Sequence, residues 1–396
     1  MNKYKKSRNR LICMVFLLTG IFFQSWGQTY YPYRKHEYSF SRKWGYADSL
    51  KRLVISLQYD EVNPFINGVA RVKINGKYRF INKKQEYINQ IEYDYATNFS
   101  DSLAIVRRGS GWGVINTQGK PMTPLMYDRV YPYKNGYAAV VYNRRYGFIN
   151  RQGKLVIKPA YDYVHPFGKE YTGIRIREYW GFINRKGEIV IPTKYKDVSN
   201  FREGLALVKY ENRYGYINTK GQLMINYQFE AAVSFQEGMA RIEKNGYSGF
   251  VDKQGWLIKP KYYAVVSFKE GLARVKNATS WGFIDKRGDT IVPFKYDEAT
   301  SFYEGLAGVR NGNKWGFINK AGKIVIPQEY ERADVPRNGL IRVKKNDKWG
   351  FINKRGEEVI PIKYDFVNSF QYGVSRVKYN NEWIYIDKRG MEYVDY

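Results

Sequence analysis

Cysteine is all but missing from this 396-residue chain, which holds Cys13 and no other. Cys13 starts an apolar stretch, whereas a lipid-accepting cysteine follows one, so lipidation is not expected. Beyond it no disulfide or thiol chemistry is available, and stability must come from packing. Histidine is almost as scarce, with only His36 and His165. No His-Glu-x-x-His, Cys-x-x-Cys, Gly-x-x-x-x-Gly-Lys-Ser/Thr or Gly-x-Ser-x-Gly occurs, so hydrolytic, metal and phosphate chemistry lose their usual carriers. No cofactor, metal or catalytic residue is expected. Acids are outnumbered, 37 against 66 Lys and Arg, and the formal net charge is +29. Long hydrophobic runs are also lacking. Leu11–Phe23 falls short of the roughly 20 residues that cross a bilayer.

That stretch follows Lys3, Lys5, Lys6, Arg8 and Arg10, and small residues Ser25 and Gly27 precede Gln28. Residues 1–27 are therefore expected to be a secretory signal peptide cleaved near Gly27-Gln28, with residues 28–396 exported and an uncleaved anchor as the alternative. The mature chain would then carry no transmembrane span. Losing those five cations leaves +24 of the +29, a charge that attracts polyanions at low salt.

Aromatic residues are abundant at 17%, including 38 Tyr, and they recur. A W/Y-G-F/Y-I-N/D signature repeats with glycines at 45, 113, 147, 181, 215, 249, 282, 316 and 350. Arg79 and Ile384 fill the same column in two further copies, giving eleven. The step is 34 residues, apart from 33 between Gly249 and Gly282. Such self-similarity means small units that bury their faces on one another.

Each copy has three short runs rich in Val, Ile, Phe, Tyr and Trp, bounded by Gly, Asn or Asp, as in 204–225 and 305–327. This predicts a three-stranded antiparallel meander. Asn75-Gly76, Asn245-Gly246 and Asn311-Gly312 supply hairpins, and N/D-x-x-G supplies type I turns. The Asn/Asp column is read as turn chemistry. Proline closes the third run in many copies (Pro124, Pro192, Pro260, Pro293, Pro327, Pro361) and should stop pairing or mark an edge. A Tyr-Asp pair follows, then an aromatic such as Phe167, Phe201, Phe268 or Phe302, expected to staple one unit to the next. Helical repeats share the period, but these glycines and short runs exclude them. The fold class is all-β, an open, twisted, solenoid-like array of about eleven units. The degraded copies around Trp44 and Trp383 are read as caps. Eleven exceeds the usual propeller count of about four to eight, and no strand is left over to latch a ring, so a closed ring is the alternative.

The pattern Lys-Trp-Gly-Phe-Ile-Asn-Lys-x-Gly-x-x-Val-Ile-Pro-x-x-Tyr-Asp, clearest at 314–331 and 348–365, resembles the WG-containing repeat family. Ser248 in the Trp column and Asn226 in the Pro column depart from it. The resemblance implies a bacterial, often exported, repeat protein, and it implies no biochemical activity.

Two ladders carry charge. Asp60, Asp94, Asp128, Asp162, Glu230, Asp297, Glu331 and Asp365 are read as holding turns beside lysines. The N/D-x-x-G turns carry Lys83, Lys84, Arg151, Arg185, Lys186, Lys220, Lys253, Lys286, Arg287, Lys320, Lys354, Arg355, Lys388 and Arg389. Stacked in register, these would line one edge as a cationic stripe for an anionic polymer. The turns lack interleaved aromatics, which disfavours single-stranded nucleic acid. His165 reads as a surface histidine. The expected function is a non-catalytic exported interaction protein whose partner is a protein or an anionic envelope polymer. A carbohydrate or cell-wall binding module is the alternative. An enzyme site on an irregular copy, at Lys169–Thr172 or Asn226–Phe229, is a weaker third reading.

Overall fold

The computed structural model describes residues 30–33, 43–48, 52–370 and 373–393. The expected signal peptide, Cys13 and His36 lie outside them. Among the described residues no helix is long and apolar enough to cross a membrane.

Every copy forms an antiparallel sheet, and among the described residues there are eleven, eight with four strands and three with three. One blade shows the build. Tyr163–Val164 is a two-residue entry strand, Tyr171–Ile176 a rising strand, Tyr179–Asn184 the signature strand and Ile189–Tyr195 the closing strand. They pair in chain order. The entry strand corrects the three-stranded meander. One residue after the closing strand of the previous blade, the chain is already pairing with the next, so a blade straddles the boundary between sequence copies.

The open, solenoid-like array is also corrected. The units are three- or four-stranded blades in an eleven-bladed β-propeller ring. Sequence periodicity counts units, whereas the angle between facing sheets depends on the side chains packed between them. The terminal copies around Trp44 and Trp383 are blades too, with sheets that include Trp44–Ala47 and Glu382–Asp387.

The closing strand explains the signature. Trp180 pairs with Tyr195 and Phe182 with Ile191, so the closing strand carries two more residues across this interval than the signature strand. A further irregularity follows, because Ile183 pairs with Ile189. Such bulges bend a strand and re-aim it. Here the bulge folds over Gly181. A Cβ on Gly181 would lie 2.5 Å from Ile191 O and 2.8 Å from the Pro192 carbonyl carbon. The glycine is needed for this close approach. The proline does not end the strand. Pro192 sits inside the bulge on the edge strand, where no ladder amide is lost. Asn226 takes the same place with the bulge unchanged.

The two copies without glycine lack that cover. Beside Arg79 the segment opposite makes only isolated bridges, Tyr78 to Tyr93 and Ile81 to Tyr87. Arg79 lies 4.5 Å over the Tyr87 ring and pairs with Glu92. Beside Ile384 the described closing strand is only Glu392–Tyr393.

The core lies between blades. The signature aromatic of one blade meets the aromatic after the entry strand of the next: Phe148 with Phe167, Phe182 with Phe201, Phe250 with Phe268, Phe283 with Phe302, at centroid distances of 4.9, 4.8, 4.8 and 5.0 Å. The staple is therefore as expected. Two tyrosines that replace Phe find hydroxyl partners in the following blade, Tyr46 donating to Asn63 O and Tyr216 to Val233 O. Burial raises the Tyr46 and Tyr216 hydroxyls well above their ordinary pKa. In the third blade Val114 replaces the ring, and the larger Tyr133 fills its cluster and donates to Asn150 O.

Candidate interaction surface

Antiparallel order sends all hairpins and Tyr-Asp corners to one edge of the blades. The N/D-x-x-G turns and the loops before the rising strands lie on the other.

On the hairpin edge the acidic ladder is structural. Asp94 accepts from Gly109 N at 2.6 Å and pairs with Lys77 at 2.5 Å. Asp297 accepts from Gly312 N, Glu331 from Asn346 N, and Asp162 from Arg177 N. The Lys77 ammonium, then the Gly109 amide, hold the Asp94 carboxyl below its ordinary range, and Lys348 with the Asn381 amide does the same for Asp365. A carboxyl held low stabilises the fold above its ordinary pKa, and that contribution is lost as pH falls through the lowered value.

On the turn edge the Asn/Asp column is turn chemistry, as expected. Asn184 Oδ1 accepts from Lys186 N and Glu188 N, and Asp285 and Asn353 repeat the pair. The two basic positions inside each turn part ways. Five first-position cations reach back to the loop of the preceding blade. Arg151 donates to Asp101 O at 2.6 Å, Arg185 to Asn135 O at 3.5 Å and Lys354 to Glu304 O at 3.2 Å, and Arg185 also donates to Lys169 O in the loop of its own blade at 2.7 Å. Lys253 pairs with Glu203 at 3.1 Å and Lys320 with Glu270 at 3.3 Å. Second-position cations stand outward. The side chains of Arg287, Arg355 and Arg389 are 82, 78 and 76% exposed, and their ion pairs are with neighbours in their own turns. Such pairs contribute little to stability. Lys84, Lys186 and Lys220 are exposed beside them.

The sequence reading missed the carboxylates that face this stripe. Glu203, Glu237, Glu270 and Glu304 each precede a glycine and adopt a left-handed φ of 50–54°. Each reaches the loop amides of the next blade. Glu203 accepts from Gly238 N at 3.0 Å, and Glu237 from Glu270 N and Gly271 N, both at 2.8 Å. Glu270 accepts from Gly305 N at 3.0 Å, and Glu304 from Asn338 N and Gly339 N at 2.6 and 2.9 Å. Burial pushes the Glu203 carboxyl up, but Lys253 and the Gly238 amide outweigh it and hold it low. The aromatic-x-Glu-Gly string, recurring with the period, was the available signal. From the sixth blade onward the stripe is therefore mixed in charge, with its most exposed cations in the second-position row.

His165 is not a surface residue. It is half-buried with its ring 4.5 Å from that of Trp180, and its carbonyl accepts from the buried Thr172 hydroxyl at 2.8 Å. Burial lowers its pKa, opposed by the charge of Asp197. The unfolded chain thus binds the proton more readily, and stability should fall as pH drops below the ordinary value of 6.5. Thermal melts at about pH 7 and 5 should show a larger loss for the wild type than for His165→Phe. Equal losses would place the acid sensitivity elsewhere.

The WG containing repeat family matches ten tandem segments, at residues 44–78, 78–111, 112–145, 146–179, 180–214, 214–247, 249–278, 281–315, 315–349 and 349–383. No curated protein matches. Solved structures resemble the chain only distantly. A eukaryotic initiation factor is 11% identical, covering 74% of this chain and 96% of its own, with a TM-score of 0.42. Hsv2 of Kluyvelomyces marxianus is 10% identical, covering 66% and 96%, with a TM-score of 0.32. PorZ, a surface component of the type-IX secretion system of Porphyromonas gingivalis, is 7% identical, covering 85% and 58%, with a TM-score of 0.26.

Proposed function

The chain belongs to the WG containing repeat family, and from that premise we propose that it is a non-catalytic interaction scaffold, exported after cleavage near Gly27-Gln28, whose turn edge holds an anionic envelope polymer. One observation carries this reading. The second-position cations Lys84, Lys186, Lys220, Arg287, Arg355 and Arg389 recur in six blades and are exposed, while the first-position cations Arg151, Arg185, Lys253, Lys320 and Lys354 are held by loops of the fold. A row of solvated charges at fixed spacing favours a long polyanion over a compact ligand, because affinity accumulates over many weak contacts.

Retention on an immobilised acidic polysaccharide should weaken steeply as salt rises from about 50 to 200 mM. The variant Lys186→Glu/Lys220→Glu/Arg287→Glu/Arg355→Glu should bind about tenfold more weakly or worse at low salt, with an unchanged melting temperature. Retention indifferent to both salt and the four reversals would sink the reading. Export is checked separately, by sequencing the N-terminus of the protein recovered outside the cytoplasm.

A further inference from the structure

Around the irregular loop of the fifth blade the repeat departs from itself at three places that meet. In the next four blades the loop reads aromatic-x-Glu-Gly, but here it reads Phe167-Gly168-Lys169-Glu170. Lys169 stands where Glu203, Glu237, Glu270 and Glu304 stand in later blades, and neither it nor Glu170 takes their left-handed φ. The turn cation that would reach back to this loop is replaced by Thr219. Phe201 is half-buried, whereas Phe167, Phe235, Phe268 and Phe302 are at most 2% exposed. Together these changes open a cleft of about 580 Å³ lined by residues 168–171, 201–204, Thr219, Phe235 and Gln236.

The neighbouring blades show what chemistry the cleft is shaped for. In the seventh to tenth blades the loop amides receive a carboxylate from the blade before, at 2.6–3.0 Å. In the sixth blade the corresponding amides are those of Glu203 and Gly204, and in the blade before Lys169 holds the sequence position of the carboxylate. Among the described residues no protein group accepts from these two amides. Glu203 is committed to Lys253 and Gly238 on the far side, so Glu170 is the one unengaged carboxylate on the lining. Two amides without an acceptor thus stand where four sister loops hold a carboxylate, and Lys169 and Arg202 lie on the same lining. Beside them the Tyr171 and Phe201 rings meet edge to face at 5.7 Å and offer an apolar wall.

We propose that this cleft binds the carboxylate of an acidic sugar, a uronic acid, with the carboxylate on the Glu203 and Gly204 amides and Lys169 and the pyranose ring against Tyr171. The volume suits one or two sugar rings, and charge-assisted bonds to paired amides set the carboxylate apart from a hydroxymethyl group. The cleft is separate from the outward cationic row, so the polymer reading above can fail without affecting it.

The test is titration of the full chain with galacturonate and digalacturonate, followed by calorimetry and tyrosine fluorescence, with galactose and a glutamate-rich peptide as comparators. Binding of the uronates, and neither of galactose nor of the peptide, is expected. The variant Lys169→Glu/Glu170→Gly rebuilds the sister loop, so that its own carboxylate takes the Glu203 and Gly204 amides. Uronate affinity should fall about tenfold or more while the melting temperature holds or rises, which separates competition from misfolding. Tyr171→Ala should weaken binding about fivefold or more without loss of galactose discrimination. Equal affinity for galactose and galacturonate, no uronate binding, unchanged binding in the rebuilt loop, or selective binding of the acidic peptide would each overturn the proposal.

Discussion

Replacing Phe302 by Ala is expected to lower the free energy of unfolding by about 3–5 kcal/mol, as for other fully buried rings. The ring is 0% exposed and belongs to a cluster that joins Phe283, Val292 and Tyr296 of one blade to Val309 and Ile318 of the next. Each blade packs on its neighbours, so a weakened interface should also lower the cooperativity of unfolding. Denaturant unfolding should show a loss near this size or a second transition. A single transition shifted by less than about 1 kcal/mol would mean the staple is dispensable. Phe283→Tyr is the matched control, because Tyr46 and Tyr216 occupy the same column with their hydroxyls bonded to a carbonyl of the next blade.

Gly316→Val should be nearly as damaging, at about 3 kcal/mol, the upper end for overpacking. Even a Cβ there would lie 2.6 Å from Ile326 O and 2.7 Å from Gln328 N, and both are backbone atoms of the bulge. Relief requires the closing strand to detach. The converse change, Arg79→Gly, should cost less than about 1 kcal/mol, because the segment opposite does not cover that position and the lost ion pair with Glu92 is exposed. Melting both proteins compares the two effects. Similar losses would show that the bulge does not impose the glycine.

These expectations rest on features of unequal visibility in the sequence. The signature strand, the Asn-Gly hairpins, the Asn/Asp turns and the aromatic staple were legible because each repeats and obeys local backbone chemistry. The entry strand was not. Tyr163–Val164 is only two residues long, and it pairs because the preceding closing strand delivers it beside Ile174 and Arg175. Proline misled for a similar reason, since its missing amide costs nothing inside an edge-strand bulge. The number of copies was plain, but the ring they form depends on the packing between sheets. On the turn edge the cations were visible, yet their partition into committed and outward rows follows from the partner loop of the blade before. Glu203 and Glu270 were overlooked because their acceptor role is met by amides, which have no letter in the sequence. His165 lies in a variable connection, and only the fold sets it against Trp180.

The bulged closing strand has a last consequence, for how such a chain can change length. In a plain half-buried strand, losing one residue turns the remaining side chains inside out. The step of 33 records such a loss. In that copy Phe250 pairs with Ile258 and Val251 with Leu257, so the second irregularity is absent while Ser248 still meets Tyr262. The deletion was absorbed as slack in the backbone, and every core residue kept its side. Tandem gene segments can therefore gain or shed a codon at this point, diverge, and still assemble.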